Sequence, residues 1–301
     1  MRVFVTGGTG AIGRPAIRAL IALGHSVTAL SRSEEKDAEL RERGANPVRG
    51  SIYDIAHLTD LFAGHDAAIN LATALPRTAD FARLSAWKEN IRIRTEGSAA
   101  VVDAALRACV PRVVQESVSM IYRDRGADWI DEEWVTDDFP MARSNLAAEA
   151  SVQRFAAAGG AGVVLRFGWF YGVGARHSEE FLNLARDHGI AMTLGRAGTY
   201  LSSIQIDDGG RAVEAALHVP AGIYNIVDDE PLTKRDYANA LARAAGRKHF
   251  LRAPGALALV MGDNTTSLTR SLRVSNARFK SLTKWAPLFP SAREGLAAMG
   301  K

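Results

Sequence analysis

The run Thr6-Gly7-Gly8-Thr9-Gly10-Ala11-Ile12-Gly13 follows a short apolar strand and opens a helix, and glycines at this spacing suit a dinucleotide pyrophosphate. Gly7 permits the tight turn, Gly10 lets the backbone approach the phosphates, and Gly13 lets the helix pack on the strand. Free N–H groups at the helix start then face the negative charge. A glycine triplet is weak by itself, so its setting matters. Residues 2 to 6 are strand-like, 11 to 23 show helical apolar spacing, and a second strand, Ser26-Val27-Thr28-Ala29-Leu30, completes a βαβ frame. That strand ends in Ser31-Arg32-Ser33, with no carboxylate before Glu34. An acidic residue there would bind the ribose hydroxyls of NAD, whereas a guanidinium grips the additional phosphate of NADP. The expected cofactor is therefore NADP(H). The plainer alternative for Arg32 is a solvated residue opening the next helix.

The elements that must position these residues follow the same alternation. Strand-like runs at 47–49, 66–70, 112–115 and 162–165 are separated by helical stretches near 54–63, 83–109 and 143–157. This predicts an α/β fold with a Rossmann-type doubly wound parallel sheet. After Arg166 the pattern loosens, then one more core-like unit appears: 203–208, a helix to about Leu217, and 222–227. The expected organisation is an NADP-binding core over 1–166, completed by about 201–227, with a smaller substrate-binding region in 167–200 and 228–301.

With 301 residues and 47% hydrophobic content, the chain is long enough for one large core, or for a main domain plus a smaller one. No apolar run reaches the roughly 18 residues of a membrane span, and the N-terminus lacks a signal-peptide profile. A cytoplasmic protein is expected. The 37 Lys and Arg are dispersed among 33 Asp and Glu, which argues against a nucleic-acid partner. Seven scattered His without His-x3-His or Cys-x2-Cys spacing predict no metal site, and His25 and His65, each preceding a strand, read as turn residues. The lone Cys109 excludes an internal disulfide and, beside Val110-Pro111, reads as a buried packing residue. Oligomeric state is not legible.

Several further segments carry a resemblance. With the glycine run, they are Leu71-Ala72-Thr73, Arg166-Phe167-Gly168-Trp169-Phe170-Tyr171-Gly172, Ile206-Asp207-Asp208, and Tyr224-Asn225 followed by Asp228-Asp229-Glu230-Pro231. Together the chain resembles, over nearly its whole length, an extended short-chain dehydrogenase/reductase of the NAD-dependent epimerase/dehydratase type. The resemblance implies an active site in the crevice at the C-terminal ends of the strands. It also implies positions for a catalytic Ser or Thr, a Tyr and a Lys, and these fall on Val118, Met141 and Asn145. Met141 has no acidic proton and Asn145 no charge. Ser117 and Ser119 flank the first position, and Ser119 is the best remaining polar candidate to touch a carbonyl oxygen. By the same resemblance, Thr9 to Ile12 hold the pyrophosphate, Ser31 and Arg32 the 2′-phosphate, and Ser51 and Ile52 the adenine edge. Leu71, Ala72 and Thr73 lie on the nicotinamide side, where Arg94, Ser117 or Asn145 replaces the usual anchor.

Two kinds of protein fit such a chain. One is a non-catalytic NADP-binding sensor or interaction protein. The other is an enzyme whose substrate supplies the missing acid. Hydride delivered to an isolated ketone leaves an alkoxide, whose conjugate acid has a pKa of about 16, while a phenolate corresponds to about 10. The difference is worth roughly 8 kcal/mol if fully expressed. A sugar epimerase or dehydratase needs a protein base, so the lost Tyr and Lys count against it. The favoured reading is an NADPH-dependent ketoreductase acting on a polycyclic aromatic polyketide, resembling the atypical reductases of angucyclinone pathways. Val118, Ser119, Met120, Met141, Phe167 and Trp169, with Phe170, are expected around this aromatic small-molecule substrate, and 128–134 as a mobile wall or lid.

Overall fold

A computed structural model describes residues 1–191, 193–252 and 265–300. The first half runs β1 (Arg2–Thr6), α1 (Gly13–Ala22), β2 (Ser26–Ser31), α2 (Glu34–Glu42), β3 (Asn46–Arg49), α3 (Ile55–Phe62) and β4 (Ala67–Asn70). After α4 (Lys88–Arg92), α5 (Ser98–Arg107), β5 (Arg112–Val118) and α6 (Pro140–Ala157), strands Ala161–Phe167 and Gly222–Ile226 complete a seven-stranded parallel sheet. Its spatial order is 222–226, 161–167, β5, β4, β1, β2, β3. The chain moves outward from β1 to β3 and crosses back to β4. The loops after β1 and β4 therefore diverge, and a crevice opens between them.

Alternation within β1 divides the core. Val3 and Val5 pack with Ile17 and Leu20 of α1 on one face, and Phe4 packs with Phe62 of α3 and Val101 of α5 on the other. α8 (Ile206–Ala215), which follows α7 (Arg176–His188), lies against α1 with glycine at the contact. A Cβ on Gly210 would come within 2.5 Å of the Pro15 backbone. The smaller region combines α7, α9 (Lys234–Ala244) and the helix Ala292–Met299 around Trp169, Phe181, Tyr237 and Leu296.

Four expectations change in detail. The helical stretch 83–109 is interrupted: a 3-10 turn, Leu84–Trp87, precedes α4, and a π turn, Ile93–Gly97, joins α4 to α5. The segment 203–205 pairs with 169–171 in a separate two-stranded ribbon and does not enter the main sheet. Cys109 is exposed: at φ 54° it ends α5 in the left-handed conformation while the Val110 N–H reaches back to the Ala105 carbonyl. The proposed lid 128–134 is tied down, because Trp129–Ile130 pairs with Arg273–Val274 and the buried Glu132 carboxylate accepts from the Asn225 N–H at 2.9 Å. It lines no part of the crevice cavity described below.

Candidate active site

The loop after β1 has a shape only glycine permits. Gly7 sits at φ 73°, and a Cβ there would meet the Leu71 carbonyl oxygen at 2.4 Å; one on Gly13 would meet the Gly7 oxygen at 2.1 Å. The start of α1 receives no side-chain cap. A close-drawn backbone with an uncapped helix end is what a pyrophosphate needs, so the chain's own geometry fits a dinucleotide.

A cleft of about 590 Å³ extends from this loop across the ends of β2 and β3. It gathers Gly7, Thr9, Gly10, Ser31, Arg32, Ser51, Ile52, Leu71, Ala72 and Thr73. Lys36 and Arg49 also line it, and sequence reasoning missed both. Their charges are partly spent: Lys36 pairs with Glu39 at 3.1 Å and Arg49 with Asp37 at 2.8 Å. Arg32 is exposed and makes no salt bridge among the described residues. The one guanidinium singled out from the sequence is thus the one left unpaired at the cleft.

A second, mostly apolar cavity begins where that cleft ends, sharing Gly10, Leu71 and Thr73 and adding Ala11 and Ile12. Its wall includes Val118, Met120, Met141, Asn145, Trp169 and Phe170. Among the described residues lining it there is neither a tyrosine nor a lysine. Asn145, four residues after Met141 on α6, donates its side-chain N–H to the Met141 carbonyl at 2.8 Å, and its buried amide oxygen has no hydrogen-bond partner.

Three expected residues lie elsewhere. Phe167 is fully buried in the sheet core, because alternation along its strand turns it inward, and Phe170 lines the cavity in its place. Ser117 is also fully buried and donates to Glu149 at 2.6 Å. Glu149 in turn forms a two-pronged ion pair with Arg166 at 2.9 and 2.6 Å. This cluster locks α6 onto the sheet and leaves Ser117 no reach to a ribose. Ser119 is buried in the 3-10 turn Ser119–Ile121 and is absent from the cavity wall.

Of the polar groups that reach the cavity, Arg94 and Asn145 follow from the resemblance, whereas Glu116 and His177 do not. Arg94, carried on the π turn, meets Glu116 of β5 at 2.7 Å, both side chains being nearly inaccessible. Burial raises the Glu116 pKa, and Arg94 opposes the rise. Asn90 accepts from the Ala74 N–H at 3.1 Å and fixes the loop after β4. His177, held at 2.5 Å from the Thr78 hydroxyl, has its pKa pushed down to about 4 by burial, so its imidazole is neutral at pH 7. Phe81 and Trp169 pack against it, and Trp87 stacks on Phe81 at 5.2 Å. These residues come from separate elements of the fold, and among them Arg94 is named by the family resemblance.

Nearby tyrosines do not substitute for the missing one. Tyr122 is fully buried, donates to Asn225 at 2.8 Å, and lies under the Arg166 guanidinium; burial pushes its pKa up to about 12. Tyr171 is likewise enclosed and donates to the Ser291 carbonyl at 3.2 Å. Away from the crevice, His25, Glu214 and His218 bring ligand-type atoms within 4.8 Å of one another, a discontinuous grouping that a scan for local metal spacing misses.

The pattern defining the NAD dependent epimerase/dehydratase family matches residues 3–216. The chain belongs to this family. This epimerase/dehydratase family member is thus a dinucleotide-binding oxidoreductase built on a Rossmann sheet. It is 32% identical over 98% of its length to a 3-diazoavenalumate denitrifying reductase from a Streptomyces species, covering 99% of that protein. It is 29% identical to the 4-hydroxy-2-methyl-3-oxo-4-farnesyl-3,4-dihydroquinoline-1-oxide ketoreductase of Stigmatella aurantiaca, with 82% and 74% of the two chains covered. Among solved structures it shares its fold with the human epimerase family protein SDR39U1 bound to NADPH, at TM-score 0.81 and 24% identity, covering 100% of this chain and 99% of that one. No helix among the described residues is long and apolar enough to cross a membrane.

Proposed function

We propose that this protein is an NADPH-dependent reductase of an electron-poor aromatic compound that takes up the reaction's negative charge itself. The observation that carries the reading is the cavity wall, where Met141 and Asn145 stand four residues apart on α6 and no lysine or tyrosine among the described residues lines the space. Bound NADPH would supply a hydride. Val118, Met120, Met141, Trp169 and Phe170 offer a flat aromatic ring an apolar surface and exclude water from it. Arg94 and Glu116 neutralise each other, and neither serves as an obvious free acid. In the favoured case the acceptor is a ketone of a polycyclic aromatic polyketide, and a phenol near the carbonyl gives its proton to the oxygen and keeps the charge as phenolate. The unpaired Arg32 beside Ser31 supports NADPH over NADH.

A second reading of the same site has its own support in the similarity to a denitrifying reductase acting on a diazo compound. Hydride added to an aromatic diazonium carbon can be followed by loss of dinitrogen, which also needs no protein acid. Both readings are tested by following NADPH consumption against phenolic aromatic ketones, their O-methyl ethers and ortho-diazoquinones. Turnover of the free phenols that vanishes on methylation is the expected result. Turnover only of diazo compounds, with gas release, moves the assignment to the second reading. Tight NADPH binding without turnover of any member leaves the sensor alternative standing.

A further inference from the structure

Beside the crevice cavity lies a second chamber of about 210 Å³, and the two share Phe81, Trp169 and Leu268 in their walls. Its lining is apolar apart from threonine hydroxyls, Tyr237 and one charged group, Lys234 at the start of α9. Lys234 is 1% exposed. A lysine this deep is ordinarily paired with a carboxylate, yet no salt bridge to Lys234 exists among the described residues. Its ammonium donates to the carbonyls of Leu268 at 2.8 Å and Arg270 at 2.9 Å. An ammonium has three N–H groups, so one remains without a partner among the described residues. Asp124 raises the charge's stability only from a distance, because its own oxygens accept from the N–H groups of Gly126 and Ser271. Burial without a counter-ion lowers the lysine's pKa to about 8. Gly195 completes the enclosure: a Cβ there would stand 2.6 Å from Nζ.

Resting on the reductase reading, we infer that the substrate is an elongated aromatic acid whose ring occupies the crevice cavity and whose carboxylate enters the adjoining chamber to pair with Lys234. An anion supplies the missing counter-charge, and the apolar walls between the two sites suit a hydrocarbon or conjugated spacer. The two backbone carbonyls hold the ammonium in place before the ligand arrives, which limits the ordering cost of binding.

The test measures binding to the NADP⁺-loaded protein of 4-hydroxybenzoate, 4-hydroxycinnamate and 4′-hydroxybiphenyl-4-carboxylate, each against its primary amide, by quenching of tryptophan fluorescence. For a member long enough to span both chambers, the acid is expected to bind roughly 10-fold or more tightly than the amide. Lys234→Met should erase that preference while leaving amide and NADP⁺ binding near wild type. Because Lys234 also holds two carbonyls, Lys234→Gln, which retains donors without the charge, serves if the methionine variant fails to fold. Equal binding of acid and amide at every length in the unmodified protein overturns the inference without any variant, as does a preference that survives loss of the lysine. The reductase reading is scored separately by NADPH turnover. Acid preference without turnover keeps the anion site and removes the reductase; turnover without acid preference does the reverse.

Discussion

The two halves of the crevice are built on opposite electrostatic plans. Across the ends of β2 and β3, Arg32, Lys36 and Arg49 stand at a polar cleft, two of them balanced by acids of α2 and one without a salt bridge among the described residues. On the chemical side, Arg94 and Glu116 are buried and paired with each other, and the rest of the wall is mostly apolar. Charge is offered to the ligand in the first region and withdrawn from it in the second. On the proposed reading, a site that binds a charged cofactor and has no free acid among the described residues leaves the acid–base work of the reaction to the substrate.

The largest test of this contrast removes Arg94. Arg94→Met leaves Glu116 buried without its partner, and loss of one member of such a pair costs about 3–5 kcal/mol. Glu116 already has a raised pKa in the folded state, so the native protein binds more protons than the unfolded chain above the ordinary carboxylate range, and stability falls as pH rises. The variant's deficit should therefore shrink between pH 8 and pH 5. Urea melts at both values measure it. A pH-independent loss below about 1 kcal/mol would mean that the pair is solvated and available for chemistry.

The corresponding change in the polar half is smaller and takes a different form. Arg32→Ala removes an exposed, unpaired guanidinium, so folding stability should change by less than about 0.5 kcal/mol. NADPH should bind roughly 10- to 100-fold more weakly, as expected for a charge-assisted phosphate contact, while NADH changes by no more than about 2-fold. Equal losses for both dinucleotides in a fluorescence titration would remove the 2′-phosphate assignment and weaken the contrast from its better-understood side.

The same contrast explains what the sequence made legible. The cofactor half is assembled from short segments at the ends of consecutive strands, so Gly7 and Arg32 announce themselves through spacing along βαβ units, and the family resemblance adds Ser51. The sheet was readable for the same reason, since Val3, Phe4 and Val5 alternate faces over three residues. The substrate half is assembled from segments far apart in the chain: Glu116 from β5, Arg94 from a π turn, His177 from α7 and Leu268 from near the C-terminus. Nothing local marks Glu116, His177 or Leu268, and Arg94 is reached only through the family resemblance. Phe167 and Phe170 show the limit within one strand-and-ribbon segment, where only the turn at Gly168 decides which ring enters the core and which faces the cavity. The lid expectation for 128–134 failed because its anchors, Asn225 and Arg273–Val274, are more than 90 residues away.

The finest test asks whether a protein acid hides just behind the apolar wall. Tyr122 is the candidate, since it lies four residues after Val118, but its hydroxyl is committed to Asn225 and its pKa is pushed up to about 12 by burial. Tyr122→Phe should lose one buried hydrogen bond, lowering stability by about 1 kcal/mol, with the Asn225 side chain left short of a partner. The rate of NADPH oxidation on a phenolic substrate should stay within about 2-fold of wild type. A general acid removed from the reaction would instead lower the rate by roughly 100- to 10,000-fold. The two outcomes are separated by at least an order of magnitude in rate, so a single steady-state comparison distinguishes them. A large loss of kcat with an unchanged melting profile would give the proton a protein source and remove the need for a phenol in the substrate. A modest loss of stability with kcat retained would leave Tyr122 a strut between the turn after β5 and the strand carrying Asn225, and the chemical half of the crevice without an acid of its own.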